Sequence, residues 1–109
     1  GKPLRESIYS KDVAKLAEWA VENYNESEPI IFSTSYEVSI KEVVDLLVQE
    51  FNFKGKVIFD KTKPEGQFRK PSDNSKLRSY LPDFKFTGLE EGIKETVKWF
   101  LDNYETARK

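Results

Sequence analysis

The feature that most constrains this chain is the start of a helix. Val38-Ser39-Ile40-Lys41-Glu42-Val43 sets a serine three residues before a glutamate, the spacing at which each side chain can satisfy an orphan backbone donor near a helix N-terminus. Val38 and Val43 stand where a hydrophobic staple would close over that turn. Ile40, Val43, Val44, Leu47, Val48 and Phe51 then recur at three- and four-residue spacings, so the helix has one apolar face. A β-forming run lies on each side of it. Pro29-Ile30-Ile31-Phe32-Ser33-Thr34 precedes it as a predicted buried strand. Lys56-Val57-Ile58-Phe59-Asp60 follows it, after Gly55, which is expected to end the intervening turn. Strand, helix, strand at this spacing predicts a parallel βαβ unit.

The remaining elements are placed the same way. Gly1 and Pro3 punctuate an opening segment that runs into a short extended stretch near Tyr9. Ser10 is the expected N-cap of a helix to about Asn25, with Val13, Leu16, Ala17, Ala20, Val21 and Tyr24 as its apolar stripe. Pro64, Gly66 and Pro71 break a long loop from Lys61 to Pro71. Asp73 is expected to cap a short helix carrying Leu77 and Leu81, which Pro82 stops. Thr87 with Glu90 makes a second capping box, opening a last helix from Leu89 to Thr106 with Leu89, Ile93, Val97, Phe100 and Tyr104 inward. At 109 residues this predicts one small α/β domain with a short parallel sheet of two to three strands and about four helices. The third strand falls at Ser7–Tyr9 or Lys85–Thr87. So small a sheet is marginal alone, and helix packing must supply most of the core.

Composition removes several function classes. No cysteine is present, which excludes disulfides, a thiol nucleophile and thiolate metal sites. No histidine is present, so neither a Ser-His-Asp triad nor a histidine-bound zinc can form from this chain. The net charge of −1, from 18 basic and 19 acidic residues, argues against nucleic-acid binding. No apolar run is long enough for a membrane span and nothing resembles a signal peptide, so the expected setting is cytoplasmic. Glycine-rich nucleotide loops are missing, as is a Tyr-x-x-x-Lys pair. No two carboxylates form a persuasive acid–base pair.

One segment stands out electrostatically. Lys54 to Lys70 holds six basic residues (Lys54, Lys56, Lys61, Lys63, Arg69, Lys70) against Asp60 and Glu65. Its loop follows the end of a predicted parallel strand, where α/β folds usually bind ligands. A phosphate or diphosphate suits it, because arginine offers a planar fork and lysine a point charge. A solvated, solubilising loop is the competing reading of the same residues. Arg5, next to Glu6, is a second cation of interest. Asp12 suits a helix N-terminus through the macrodipole, and Trp19 and Trp99 read as packing residues at helix edges.

Family resemblance rests on particular stretches. Arg5-Glu6-Ser7-Ile8-Tyr9-Ser10-Lys11-Asp12-Val13-Ala14 resembles the Arg-x-x-(Phe/Ile)-aromatic-x-x-Asp-x-Ala stretch of nucleotide-sugar enzymes in the extended short-chain dehydrogenase group. Phe59 to Lys70, with its Pro64-Glu65-Gly66-Gln67-Phe68-Arg69-Lys70 loop, is similar to a loop of the GDP-L-fucose synthase family. Asn74–Arg78, Tyr80–Phe84 and Val97–Glu105 extend the similarity to nearly the whole chain. The resemblance implies a substrate-binding C-terminal domain, residues 1–109, cut from a longer enzyme. That enzyme would use NADP(H) to convert GDP-4-keto-6-deoxy-D-mannose to GDP-L-fucose, with the cofactor held by an N-terminal Rossmann domain and none bound by this part. It would act as a homodimer, with no nucleic-acid or membrane partner. By the same resemblance Arg5 lies near the nucleotide diphosphate, Lys70 at the nucleotide end of the substrate, and Arg69 beside it. Glu65 takes a ligand-facing loop position usually held by aspartate, and Ser7 replaces a usual phenylalanine. Asp12 would orient the first helix. The alternative is a free-standing nucleotide-sugar or protein-interaction module without catalytic activity.

Overall fold

The computed structural model describes all 109 residues, Gly1–Lys109. Six elements follow in order: β1 (Leu4–Glu6), α1 (Ser10–Asn23), β2 (Glu37–Ser39), α2 (Ile40–Phe51), α3 (Ser75–Tyr80) and α4 (Leu89–Asp102). Two strands and four helices make a small mixed α/β fold, in agreement with the sequence.

The sheet is built differently from the expected one. β1 and β2 run antiparallel, with Leu4 opposite Ser39, Arg5 opposite Val38 and Glu6 opposite Glu37. Neither Pro29–Thr34 nor Lys56–Asp60 forms a strand, so the parallel βαβ unit does not exist in this chain. β-forming side chains report a preference for a pleated, half-buried surface, but a strand also needs a partner backbone. No partner reaches either run. β1 itself finds partners at both edges. Its Leu4 N–H donates to the Phe68 carbonyl at 2.7 Å, and Leu4 forms an isolated parallel bridge with Arg69. The third strand expected at Ser7–Tyr9 or Lys85–Thr87 is absent, and the extended stretch ends at Glu6.

α2 starts where the capping box predicts. The Ser39 hydroxyl accepts from Glu42 N–H at 3.1 Å and lies 3.3 Å from the Glu42 carboxylate. The two preceding donors, Ile40 and Lys41 N–H, are taken by the Pro3 and Gly1 carbonyls at 3.1 and 3.0 Å. The opening segment is thereby strapped across the helix N-terminus. α2 ends at Phe51, the last residue of its expected apolar face. Asn52 adopts the left-handed conformation (φ 52°, ψ 42°) that terminates helices, and Phe53 N–H reaches back to the Val48 carbonyl at 3.0 Å.

The second capping box does not form. Thr87 donates both its N–H and its hydroxyl to Asp12, at 2.7 and 2.9 Å, and Gly88 becomes the cap residue of α4. Asp12 is only 2% exposed, so its carboxylate clips the first turn of α1 to the entrance of α4. Asp73 accepts from Ser75 N–H at 2.8 Å, but it stands one residue before the cap: Asn74 is the cap residue of α3, and its side chain makes no capping bond. α4 stops at Asp102, short of Thr106; the Asn103 amide folds back onto the Trp99 carbonyl at 2.8 Å.

The core is small. Leu16 and Leu77 are fully buried, and Val38 and Val97 nearly so, which gives one apolar anchor from each of α1, α3, β2 and α4. Around it, Phe51 and Phe100 meet edge-on at 6.1 Å between α2 and α4. Trp19, Tyr24 and Tyr80 join the end of α1 to α3, with centroids 5.5 to 6.4 Å apart. No helix is long and apolar enough to cross a membrane.

Candidate functional site

Strand geometry sends Leu4 and Glu6 to one face of β1 and Arg5 to the other. The Arg5 guanidinium donates to its neighbour's carbonyl, Leu4 O, at 2.7 Å, and reaches the Glu65 carbonyl at 3.4 Å. The chain turns there at Gly66 with φ +74°, a conformation that suits glycine. A Cβ on Gly66 would come 3.6 Å from the Arg5 guanidinium, so loop and arginine are in close contact. The Glu65 carboxylate instead turns toward Gly1, 3.6 Å from its backbone nitrogen. A groove of about 670 Å³ opens beside this junction, lined by Lys2, Lys41, Lys61 and Lys63 together with Asp60 and Glu65; Arg5, Arg69 and Lys70 do not line it, and Lys41 is paired with Asp45 at 2.8 Å.

Asp60, at the start of the loop, is turned onto Thr62, whose hydroxyl and N–H donate at 2.6 and 2.9 Å. Those two bonds hold its carboxyl below the usual aspartate value. The segment therefore keeps its acid engaged locally and leaves its lysines exposed to solvent.

Arg69 is engaged elsewhere. Its Nε donates to both oxygens of Glu37 at 3.1 Å, and its Nη2 to one of them at 2.6 Å. Hydrogen bonding and charge from Glu37 raise the guanidinium pKa above its ordinary value. In this conformation Arg69 ties the loop to β2. Lys70, the next residue, is exposed. The structure thus joins Arg5 with Glu65 through the backbone and sets Arg69 next to β1, while Lys70 extends the basic end of the loop.

Sequence reasoning missed two residues that organise this region. Glu37 is the partner of Arg69. Glu6 accepts from the Ser33 hydroxyl at 2.5 Å, and from the Ser72 N–H and hydroxyl at 2.9 and 2.5 Å. Burial alone would raise the Glu6 carboxyl, but those three donors outweigh it and hold the pKa below its ordinary value. This knot fastens the strand carrying Arg5 to the segment that follows Lys70. No local spacing links residues 6, 33 and 72, and neither serine lies in a strand.

Chemically, the region offers one anchored cation, Arg5, beside a loop of exposed lysines. No group of three or more acidic side chains lies together as a metal site would require. The arrangement suits binding and orienting an anion rather than proton transfer.

The same small α/β unit recurs in solved enzyme structures. It superposes on the structure of the Bordetella bronchiseptica enzyme WbmH in complex with NAD+ with a TM-score of 0.79, over 93% of this chain and 33% of that one; at 23% identity this is likeness of fold. In sequence, the whole chain is similar to GDP-L-fucose synthases. It is 50% identical over 111 residues to the Dictyostelium discoideum GDP-L-fucose synthase, a match spanning 100% of this chain and 35% of that protein. It is 47% identical to a GDP-L-fucose synthetase from Naegleria fowleri, crystallised bound to NADP, with a TM-score of 0.96 over 100% of this chain and 35% of that one. No protein-family model matches. The chain spans about a third of the length of the relatives it matches.

Proposed function

We propose that this chain is the GDP-sugar-binding, C-terminal domain of an NADP-dependent GDP-L-fucose synthase. The longer protein would convert GDP-4-keto-6-deoxy-D-mannose to GDP-L-fucose. Its nucleotide-cofactor domain would occupy the two-thirds of the relatives' length that this chain does not span. End-to-end similarity supports the family. The observation that carries the role is the junction of Arg5 with the Pro64–Gly66 turn, since it brings the strand cation against the basic loop 60 residues away in sequence. Arg5 and Lys70 would hold the diphosphate through charge-assisted hydrogen bonds. Glu65 shapes the turn through its carbonyl. Arg69 would reach substrate only by leaving Glu37. Holding the sugar in place would supply orientation, while proton and hydride transfer belong to the other domain.

The same reading gives NADP(H) to that other domain, and the backbone donors of this chain support it. A dinucleotide pyrophosphate needs free N–H groups at a strand–helix turn. The direct strand–helix junction here is β2 to α2, and its Ile40, Lys41 and Glu42 donors are already taken by Pro3, Gly1 and Ser39. That junction has no free donors to offer a pyrophosphate. A homodimeric parent and a cytoplasmic setting belong to the same proposal.

The test is kinetic. Arg5→Ala with Lys70→Ala in the full-length protein should raise KM for the GDP-sugar by about 100-fold, because losing each charge-assisted contact costs about 1.5 kcal/mol or more. An unchanged KM would overturn the site assignment. The isolated chain should bind GDP weakly and leave NADPH unoxidised.

A further inference from the structure

Two runs that the sequence marks as strands stand in this fold without partners. Ile30–Phe32 and Lys54–Phe59 neither donate nor accept a single backbone hydrogen bond within the chain. Every residue from Phe51 to Pro71 is exposed. Val57, Ile58 and Phe59 are 43, 73 and 37% exposed, and Phe59 shares its groove with Phe68. An isolated apolar side chain on a surface needs no explanation, but a contiguous run with bare N–H and C=O groups is an open edge for strand addition.

The whole molecule carries the same mark. It exposes 8548 Å², against about 6,200 Å² for a compact monomer of its 12.7 kDa mass. Its radius of gyration is 16.5 Å, where a compact chain of this length has about 13 Å. The surplus surface, about 2,300 Å², is of the size that permanent contacts cover.

What covers it can be argued. Lys54, Lys56, Lys61 and Lys63 flank the run, so two copies meeting face to face would set like charges together. About two-thirds of each long relative has no counterpart in this chain. Gly1 also lies against the Phe59 ring, where an added Cβ would come within 2.8 Å. A polypeptide continuing from that end would start out on the patch.

We propose that Lys56–Asp60 is a strand-pairing edge, covered in the full-length protein by a β-strand from the part of the polypeptide outside this chain. The incoming strand pairs with the free backbone groups and buries Val57, Ile58 and Phe59 from their exposed sides. Its flanks are acidic, opposite Lys54 and Lys61. The inference rests on the reading that this chain works inside a longer polypeptide, but not on what that polypeptide binds.

Hydrogen exchange of the full-length protein tests it without any substitution. Alternate amides among Lys56–Asp60 should exchange at least about 100-fold more slowly than those of Lys61–Glu65, as paired strand amides do. Exchange of all five at the loop rate overturns the proposal, and so does protection that disappears on dilution, which would assign the edge to a second copy. Ile58→Asp should lower the melting temperature of the full-length protein, with Lys63→Asp as a neutral control. Protection that persists in a protein unable to bind GDP would leave the edge standing and remove the substrate reading alone.

Discussion

Replacing Asp12 tests the packing logic most directly. Its carboxylate is almost wholly buried and accepts two hydrogen bonds from Thr87, one from the backbone and one from the hydroxyl. Hydrogen bonds to a charged group contribute about 1.5–3 kcal/mol each, and a carboxylate in a helix's first turn adds about 0.3–1 kcal/mol. Asp12→Ala removes all of this and leaves the Thr87 N–H without its acceptor. The expected loss is about 4 kcal/mol, a large part of the roughly 5–15 kcal/mol typical of a domain this size. Asp12→Asn keeps one oxygen for the N–H, and its amide can donate to the Thr87 hydroxyl, so its cost should be about 1–2 kcal/mol. Urea unfolding followed by far-ultraviolet circular dichroism at neutral pH measures both. An alanine variant within about 1 kcal/mol of the parent, or an asparagine variant as unstable as the alanine one, would refute the reasoning.

Three further outcomes follow from the same geometry. Leu77→Ala empties a fully buried site at the core's centre and should cost about 2–5 kcal/mol in the same unfolding assay. Glu6 has a folded pKa below its ordinary value of 4.5, so its contribution is complete above that pH and is lost as the pH falls through the lower folded value; Glu6→Gln should flatten this acid limb in a pH series of melting temperatures. Arg69→Ala should weaken GDP binding less than Arg5→Ala in calorimetric titration, because the Arg69 guanidinium is already engaged by Glu37.

Comparison of particular elements shows where legibility stopped. α2 was readable almost to the residue because its signals are local: the Ser39–Glu42 box and the apolar stripe all lie within one helix. The short α3 helix was readable for the same reason, although its cap is Asn74 and not Asp73. Thr87–Glu90 had the same local signature and failed, because a buried carboxylate 75 residues away took both Thr87 donors. The basic loop was legible as a charge excess, and Arg5 as a cation worth watching. That Arg5 meets the loop at Glu65 while Arg69 turns to Glu37 was not legible, since those contacts join residues 60 and 32 apart.

The sequence alone therefore determined the helices, the fold class, the absence of thiol and imidazole chemistry, and the location of the excess positive charge. Each depends on residue type and short-range spacing. Tertiary structure alone decided which segments pair. The two most β-prone runs are left open while Leu4–Glu6 and Glu37–Ser39, much weaker signals, form the sheet. A helix completes its hydrogen bonds within itself, so its own residues specify it. A strand completes them on another segment, and the one that comes within reach is set by how the whole chain folds.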